Sequence, residues 1–409
     1  MGRLGDKEKR GPLSSISLPP LPGEIAEGNM SKRSISILLL ALLLATLTAA
    51  AQIKLPSSNR TVTPRETRDK QIAAQFAPVI YQGLGDQSRY DYITNFDFDG
   101  DWKGDNNWVN ASHKTYPLLA YVYYSVIKTA THYYVHYAFF HPRDYKGGLG
   151  KSALVDALIK EGIRRAGKDP TGLADDVALS HENDLEGCLI VAEKRGDDLR
   201  KAVVQYVETM SHNRFLKYRQ REVQGSVGEL IEVKGQQPLL FAEPKGHGVS
   251  SYTNAREQLK KSVNGVLAYS YAGKAEDPEK RRGDALGYDL MALQETLWPH
   301  AQAGESETFA EVIDYQDVKI SMQQLDGKAT TIDQTLGKLG AAFRGTIGFK
   351  NKARAPWGWY DDSEKDRPRG EWFFDPAAVI ARHFNLEQNF AQAYTYHPFF
   401  NIGGAERER

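Results

Sequence analysis

The chain has 409 residues with 52 basic and 52 acidic side chains, enough length for one large domain or two ordinary ones and no net charge. That balance argues against a dedicated nucleic-acid binder, which gathers a basic excess on one face. The single cysteine, Cys188, excludes an internal disulfide framework and a cysteine-based zinc site, and gives no sign of a disulfide-linked partner.

The N-terminal region divides into processing segments before any fold begins. Met30-Ser31-Lys32-Arg33 opens a short basic stretch. An almost unbroken aliphatic run over 35–47 follows, then Thr48-Ala49-Ala50-Ala51 and Gln52. Basic, apolar and small-residue parts in this order read as a secretory signal over 30–51. The alternative is a membrane anchor over 35–51, although the run is shorter than the roughly 20 residues that span a bilayer. Residues 1–29 read as an over-extended start. Residues 52–75 are a leader and first helix, and 76–409 a single β-sandwich-like domain. The expected location is secreted or periplasmic.

Thr63-Pro64-Arg65-Glu66 reads as a capping box with proline at the first helical position, predicting a helix that Ala77-Pro78 stops near Phe76. Val79-Ile80-Tyr81 is a short strand. Thr131 to Phe140 is dense in β-branched and aromatic residues and bulky on both faces, as a central strand should be. Its His132 and His136 read as packed histidines. Ser152 to Arg165 carries a helical period. Strands are expected over 184–193, 202–210, 239–242, 266–271, 290–296 and 346–349. Asp375-Pro376 caps a short C-terminal helix toward Phe384. Residues 150–178 and 300–345 look like insertions. The fold class is mainly β, an antiparallel β-sandwich with helical insertions and a short C-terminal helix.

The densest chemistry is Ser180-His181-Glu182-Asn183-Asp184-Leu185-Glu186-Gly187. Hard cations prefer carboxylate oxygens and tolerate one imidazole. Asp184 and Glu186 share a face of an extended strand. His181 has the opposite parity and joins them only if the chain kinks near Asn183-Asp184. The plainer reading is a solvated start of a strand. A second acidic segment, Asn95 to Trp102, copies half of an EF-hand loop and offers Asp97, Asp99 and Asp101 as further metal candidates. The twelfth loop position is Asn106 rather than glutamate, so an acidic hairpin turn packed by Phe96, Phe98 and Trp102 is the alternative. His247 stands between two glycines after a strand, where it is either an acid/base group or a surface-turn histidine.

The order of an aromatic strand (His136-Tyr137-Ala138-Phe139-Phe140) and then His-Glu-Asn-Asp-Leu-Glu resembles the vacuolar-protein-sorting-62-like family and, more distantly, the necrosis- and ethylene-inducing protein family. Phe76-Ala77-Pro78-Val79-Ile80-Tyr81, Gly246-His247-Gly248 and Ala355-Pro356-Trp357-Gly358-Trp359 resemble elements of the first family. The resemblance implies a β-sandwich with a divalent cation near His181, Asp184 and Glu186, with Asp175 or Asp176 as a further acidic ligand. Asn183 and Leu185 stand where the toxin family has histidine and tryptophan.

The expected function is an exported binding or surface-interacting module with a divalent-cation site for calcium, magnesium or manganese. A polar headgroup or glycan is its expected partner. The alternative is a metal-dependent hydrolase of a phosphoryl or acyl substrate, with His247 as acid/base.

Overall fold

The computed structural model describes residues 64–145, 180–223, 227–253, 256–303, 306–316, 318–324, 326–346, 353–386 and 390–403. The expected signal, the Thr63 cap, the helix over 152–165 and the Asp175/Asp176 pair lie outside these residues, as does all but the first residue of the strand over 346–349.

A helix spans Pro64–Phe76 and ends at Ala77-Pro78, because the residue before proline is pushed out of helical geometry. It buries Ile72, Ala73 and Phe76. The Tyr137 hydroxyl donates to the Ala73 carbonyl at 2.5 Å and fastens the helix to the sheet.

The strands run in chain order from β1 (Val79–Gly83), β2 (Tyr121–Thr129), β3 (His132–Asp144) and β4 (His181–Glu193) to β5 (Val203–Met210) and β6 (Phe215–Arg219). Short strands β7 (Glu229–Leu230) and β8 (Val233–Lys234) precede β9 (Gln237–Ala242), β10 (Val249–Ser251), β11 (Val266–Tyr271) and β12 (Ala285–Ala292). The main path of the large sheet is β10-β9-β1-β11-β12-β2-β3-β4-β5-β6-β7. The fold is mainly β, as expected, but the sheet is mixed rather than antiparallel. β1 lies parallel to β9, and β12 lies parallel to both β11 and β2. β1 and β9, and β2 and β12, are far apart in sequence, while β11 and β12 are consecutive and joined by the crossover over 272–284, about the dozen residues that a parallel connection needs.

β3 and β4 form the centre. All 13 residues of β3 are buried, which is why both faces of its sequence are bulky and its polar side chains, such as His136 and His141, are buried too. Their antiparallel register sets His136 opposite Leu189 and Ala138 opposite Gly187. The sheet curls until its far end returns to β5, where the Thr209 hydroxyl donates to the Val249 carbonyl at 2.7 Å. That return brings the β9–β10 loop over β4.

Two sequence expectations shift. The strand expected over 290–296 is Ala285–Ala292, and Leu293–Glu295 turn into a short 3-10 helix. The Thr296 hydroxyl bonds the Ala292 carbonyl at 2.8 Å, and Leu293, Leu297 and Trp298 are all buried, a helical rather than alternating set. The segment over 300–345 holds four strands, β13 (Phe309–Tyr315), β14 (Val318–Gln323), β15 (Ala329–Gln334) and β16 (Gly337–Phe343). β13 and β16 make a separate two-stranded sheet, and β14 reaches the main sheet through β17 (Tyr394–Tyr396).

The C-terminal segment plugs the sandwich with rings. Trp357, Trp372, Phe373 and Phe374 are buried, and Trp298 meets Trp357 edge-on at 5.1 Å. The expected C-terminal helix is Pro376–His383.

Candidate functional site

The motif strand kinks where the sequence placed a kink. Asn183 takes φ 59°, and its side chain is held by Asn107 at 2.7 Å and by the carbonyls of Gly104 and Arg344 at 2.8 and 2.9 Å. The left-handed residue breaks the alternation, so His181, Asp184 and Glu186 line one cleft together. Glu182 takes the other side and accepts the backbone N–H groups of Trp108 and Thr346 at 2.7 and 2.8 Å. It is an anchor for two loops.

Asp144, His212, Asn213, Gly246, Arg354 and Trp359 complete the cleft. Its room is about 40 Å³. A water needs only about 10–15 Å³ on this scale, so the cleft holds a few waters or a small ion and not a sugar ring. Gly187 makes the Trp359 wall possible. A Cβ there would come within 2.1 Å of the Tyr137 carbonyl oxygen and 2.9 Å of the Trp359 ring.

Each central side chain has a defined tie. His181 Nδ1 lies 2.7 Å from the Asn183 carbonyl oxygen, and its Nε2 lies 3.6 Å from Asp144. Asp184 Oδ2 lies 2.8 Å from His247 Nδ1. Glu186 Oε1 accepts the His212 backbone N–H at 3.2 Å, while its buried Oε2 has no hydrogen-bond partner. Burial and the neighbouring Asp184 charge push the Glu186 carboxyl up to about 8.

His247 sits behind this wall rather than in the cleft. Its side chain has no exposure, and its Nε2 lies 3.4 Å from Asp91. Burial alone would lower its pKa, but the bonds to Asp184 and Asp91 prevail and raise it to about 10. His141 stacks on it at 3.7 Å and 3° and is itself tied to Gln82 at 3.1 Å. Burial and the charged His247 ring hold His141 well below the usual histidine range. His247 is therefore buried between two carboxylates rather than exposed in a surface turn, and it does not line the cleft.

Among the described residues, seven non-glycine positions have left-handed backbone. Five of them, Asn183, His212, Asn213, Lys245 and His247, belong to the cleft or its supporting loops. Such geometry persists only where the surroundings over-determine it. Sequence reading missed Asp91, His141, His212, Arg354 and Trp359. Only Trp359 stood in a segment already singled out.

The acidic turn Asn95 to Trp102 is a packed turn. Asn95 bonds Asp97 at 2.8 Å, Asn110 bonds Asp99 at 2.6 Å, and Asn106 bonds Asp101 at 3.0 Å. Phe96 stacks on Trp102 at 5.8 Å and on Phe343 at 4.9 Å. Each carboxylate is spent on an amide of its own neighbourhood. Among the described residues no three His, Cys, Asp or Glu side chains are already drawn together as a ligand set, here or in the cleft. His132 and His136 are packed in the sheet as expected, with His136 bonded to the Trp372 carbonyl at 3.1 Å. Cys188 is a buried free thiol. No helix among the described residues is long and apolar enough to cross a membrane.

No protein-family model and no curated protein sequence matches the chain. Among solved structures it is similar to a non-toxic HaNLP3 protein, at 12% identity over 58% of this chain and 78% of that one, with a TM-score of 0.27. NLPPya in complex with glucosamine gives 11% identity over 55% and 74%, with a TM-score of 0.28. Necrosis and Ethylene inducing Protein 2 from the causal agent of cocoa's witches' broom disease gives 13% over 59% and 79%, with a TM-score of 0.26. These neighbours are of the necrosis- and ethylene-inducing kind, the more distant of the two families whose motifs the sequence resembles. The resemblance to the vacuolar-protein-sorting-62-like family rests on its motifs alone.

Proposed function

We propose that this chain is an exported binding module whose cleft holds a divalent cation and offers it to a polar headgroup or glycan at a surface. The observation that carries the reading is the concentration of left-handed, non-glycine backbone around one small acidic cleft. Asparagine tolerates such backbone, but at His212, Lys245 and His247 strain of that kind costs on the order of 1–3 kcal/mol per residue and gathers at functional sites.

The donor chemistry fits a hard cation. Asp184 and Glu186 would supply carboxylate oxygens and His181 an imidazole, with Asp144 at the rim. Glu186 Oε2 is a buried acceptor without a donor, the kind of atom a cation would satisfy. His247 and the His212 N–H already occupy one oxygen of each carboxylate. That leaning toward single-oxygen ligation suits a small ion that keeps its waters, such as magnesium or manganese, better than calcium. The bound cation would supply a positive charge able to draw a hydroxyl-rich or anionic group to the cleft.

Binding is favoured over metal-dependent hydrolysis because His247, the acid/base of the hydrolytic reading, is wholly buried between two carboxylates. The test is metal analysis of the purified protein with melting curves in calcium, magnesium, manganese and chelator. A higher melting temperature with at least one ion, joined to ion-dependent retention on glycan or headgroup surfaces, supports the reading. No shift with any of the three overturns it. Export is tested separately by sequencing the N-terminus of secreted product, expected near Gln52.

A further inference from the structure

We infer that Asp91 is a positioning residue for the cleft, fixing the Lys245–His247 loop and, through His247, the direction in which Asp184 faces. The inference rests on the proposed cation site and adds a residue outside the motif to its machinery. Asp91 is fully buried at the end of a single 3-10 turn, Ser88–Asp91. Three hydrogen-bond donors and one ion-pair contact converge on its carboxylate. Oδ2 accepts the Gly85 N–H at 2.7 Å and the Tyr145 hydroxyl at 2.5 Å. Oδ1 accepts the Lys245 N–H at 2.7 Å and faces His247 Nε2 at 3.4 Å. One oxygen thus holds the local loop and the end of β3, and the other holds the β9–β10 loop.

That loop needs an external hold. Lys245 and His247 have φ 73° and 52°, on either side of Gly246, which lines the cleft. Left-handed geometry strains a residue that carries a Cβ. Asp91 supplies acceptors to both residues at once. The plane of the imidazole is set by stacking on His141. Its rotation within that plane is set by the two carboxylates at opposite nitrogens. With Asp91 in place, Nδ1 points at Asp184 Oδ2 and holds that oxygen. Without it, the Nε2 side loses its charged partner, and the ring's hold on Asp184 rests on the stacking with His141 and the Nδ1 contact alone. Orienting partners of this type change metal affinity by about 10–100-fold in other sites.

The test titrates manganese into the full chain, reading free ion by electron paramagnetic resonance, beside melting curves in chelator. Asp91→Asn keeps a carbonyl acceptor but removes the charge facing His247, and should weaken manganese binding about ten- to a hundredfold. Tyr145→Phe removes the hydroxyl bond to the other oxygen of Asp91 and keeps the two contacts of Tyr145 with the loop, its N–H bond to the Lys245 carbonyl at 3.0 Å and its ring beneath the Lys245 ammonium. It should lower the melting temperature in chelator yet leave the affinity within about twofold of wild type. His247→Asn, whose amide stands near the place of Nδ1 and cannot reach Asp91, breaks the same link from the other side and should match the Asp91→Asn loss. It also decides the matter if Asp91→Asn does not fold. Wild-type affinity in Asp91→Asn or in His247→Asn overturns the inference alone. Equal affinity losses in Tyr145→Phe and Asp91→Asn overturn it as well, by reducing Asp91 to a purely structural tie. Absence of manganese binding in the wild type removes the cation reading and this inference together.

Discussion

His247 Nδ1 lies 2.8 Å from Asp184 Oδ2, across 63 positions of sequence and between strand β4 and the loop joining β9 to β10, neither of which is a neighbour of β4 in the sheet. The curl of the sheet brings them together. The pair joins the acidic motif on β4 to the strained loop between β9 and β10, so the two segments act on one cleft.

If the cleft binds a cation, Asp184→Asn and Glu186→Gln should lose the ion-dependent rise in melting temperature, because an amide oxygen is a weaker ligand for a hard ion than a carboxylate. At a hundredfold excess over Kd the wild type gains about 2.7 kcal/mol. His181→Ala should lose part of that gain. Calorimetric melting in magnesium against chelator checks this, and an unchanged rise in Asp184→Asn refutes the ligand assignment.

Above neutrality, stability should fall as pH rises. His247 is raised to about 10, the Asp184 and Asp91 bonds overcoming burial, so the folded chain holds its proton where the unfolded chain has released it. Its contribution is complete below about 6.5 and disappears as pH climbs to about 10. Glu186 is raised to about 8 by burial and by Asp184, so the folded chain again binds more protons, here between about 4.5 and 8. Both slopes have the same sign. His136 and His397, which burial lowers to about 4 and about 3, have the opposite sign below about 6.5, so the fall is read above that range, and in chelator the protein should melt higher at pH 7 than at pH 9. Glu186→Gln should flatten the lower part of the profile and His247→Asn the upper part. A melting temperature that is higher at pH 9 contradicts the assignment.

The acidic turn should behave as a packed turn. Asp99 accepts the Asn110 amide at 2.6 Å, and burial raises its carboxyl above the ordinary range. Asp97→Asn with Asp99→Asn should cost about 1 kcal/mol for lost hydrogen bonds, equally in calcium and in chelator. A loss confined to calcium would restore Asp97, Asp99 and Asp101 as ligands.

Glu208 and His383 latch the C-terminal segment to β5. Glu208 is fully buried, and it accepts the Trp372 indole N–H at 2.7 Å and faces His383 Nδ1 at 2.6 Å. Burial opposes protonation of His383, and the bond to Glu208 prevails and raises its pKa. His383→Ala strands that carboxylate and should cost about 3–5 kcal/mol in urea unfolding. The double variant with Glu208→Gln should cost less than the sum of the two single changes. Strict additivity would show that the pair does not couple.

The sequence by itself determined the elements whose signals are local. Ala77-Pro78 stops the first helix, β3 is bulky on both faces because it is central, and Asp375-Pro376 opens the last helix. Asn183 was legible as the kink that His181 needs, since asparagine tolerates left-handed backbone. Tertiary structure alone decided which side chains meet. Asp91, His141, Gln82 and His212 come from four separate segments, each in an ordinary local pattern, and only the returning sheet places them behind the motif. The parallel pairing of β12 with β2, and the burial of His247 in a glycine-flanked loop, have the same origin. Local propensity acts over a few residues. Partner strands, buried charges and the contents of a cleft depend on contacts tens to hundreds of positions apart, and no periodicity in the chain encodes those.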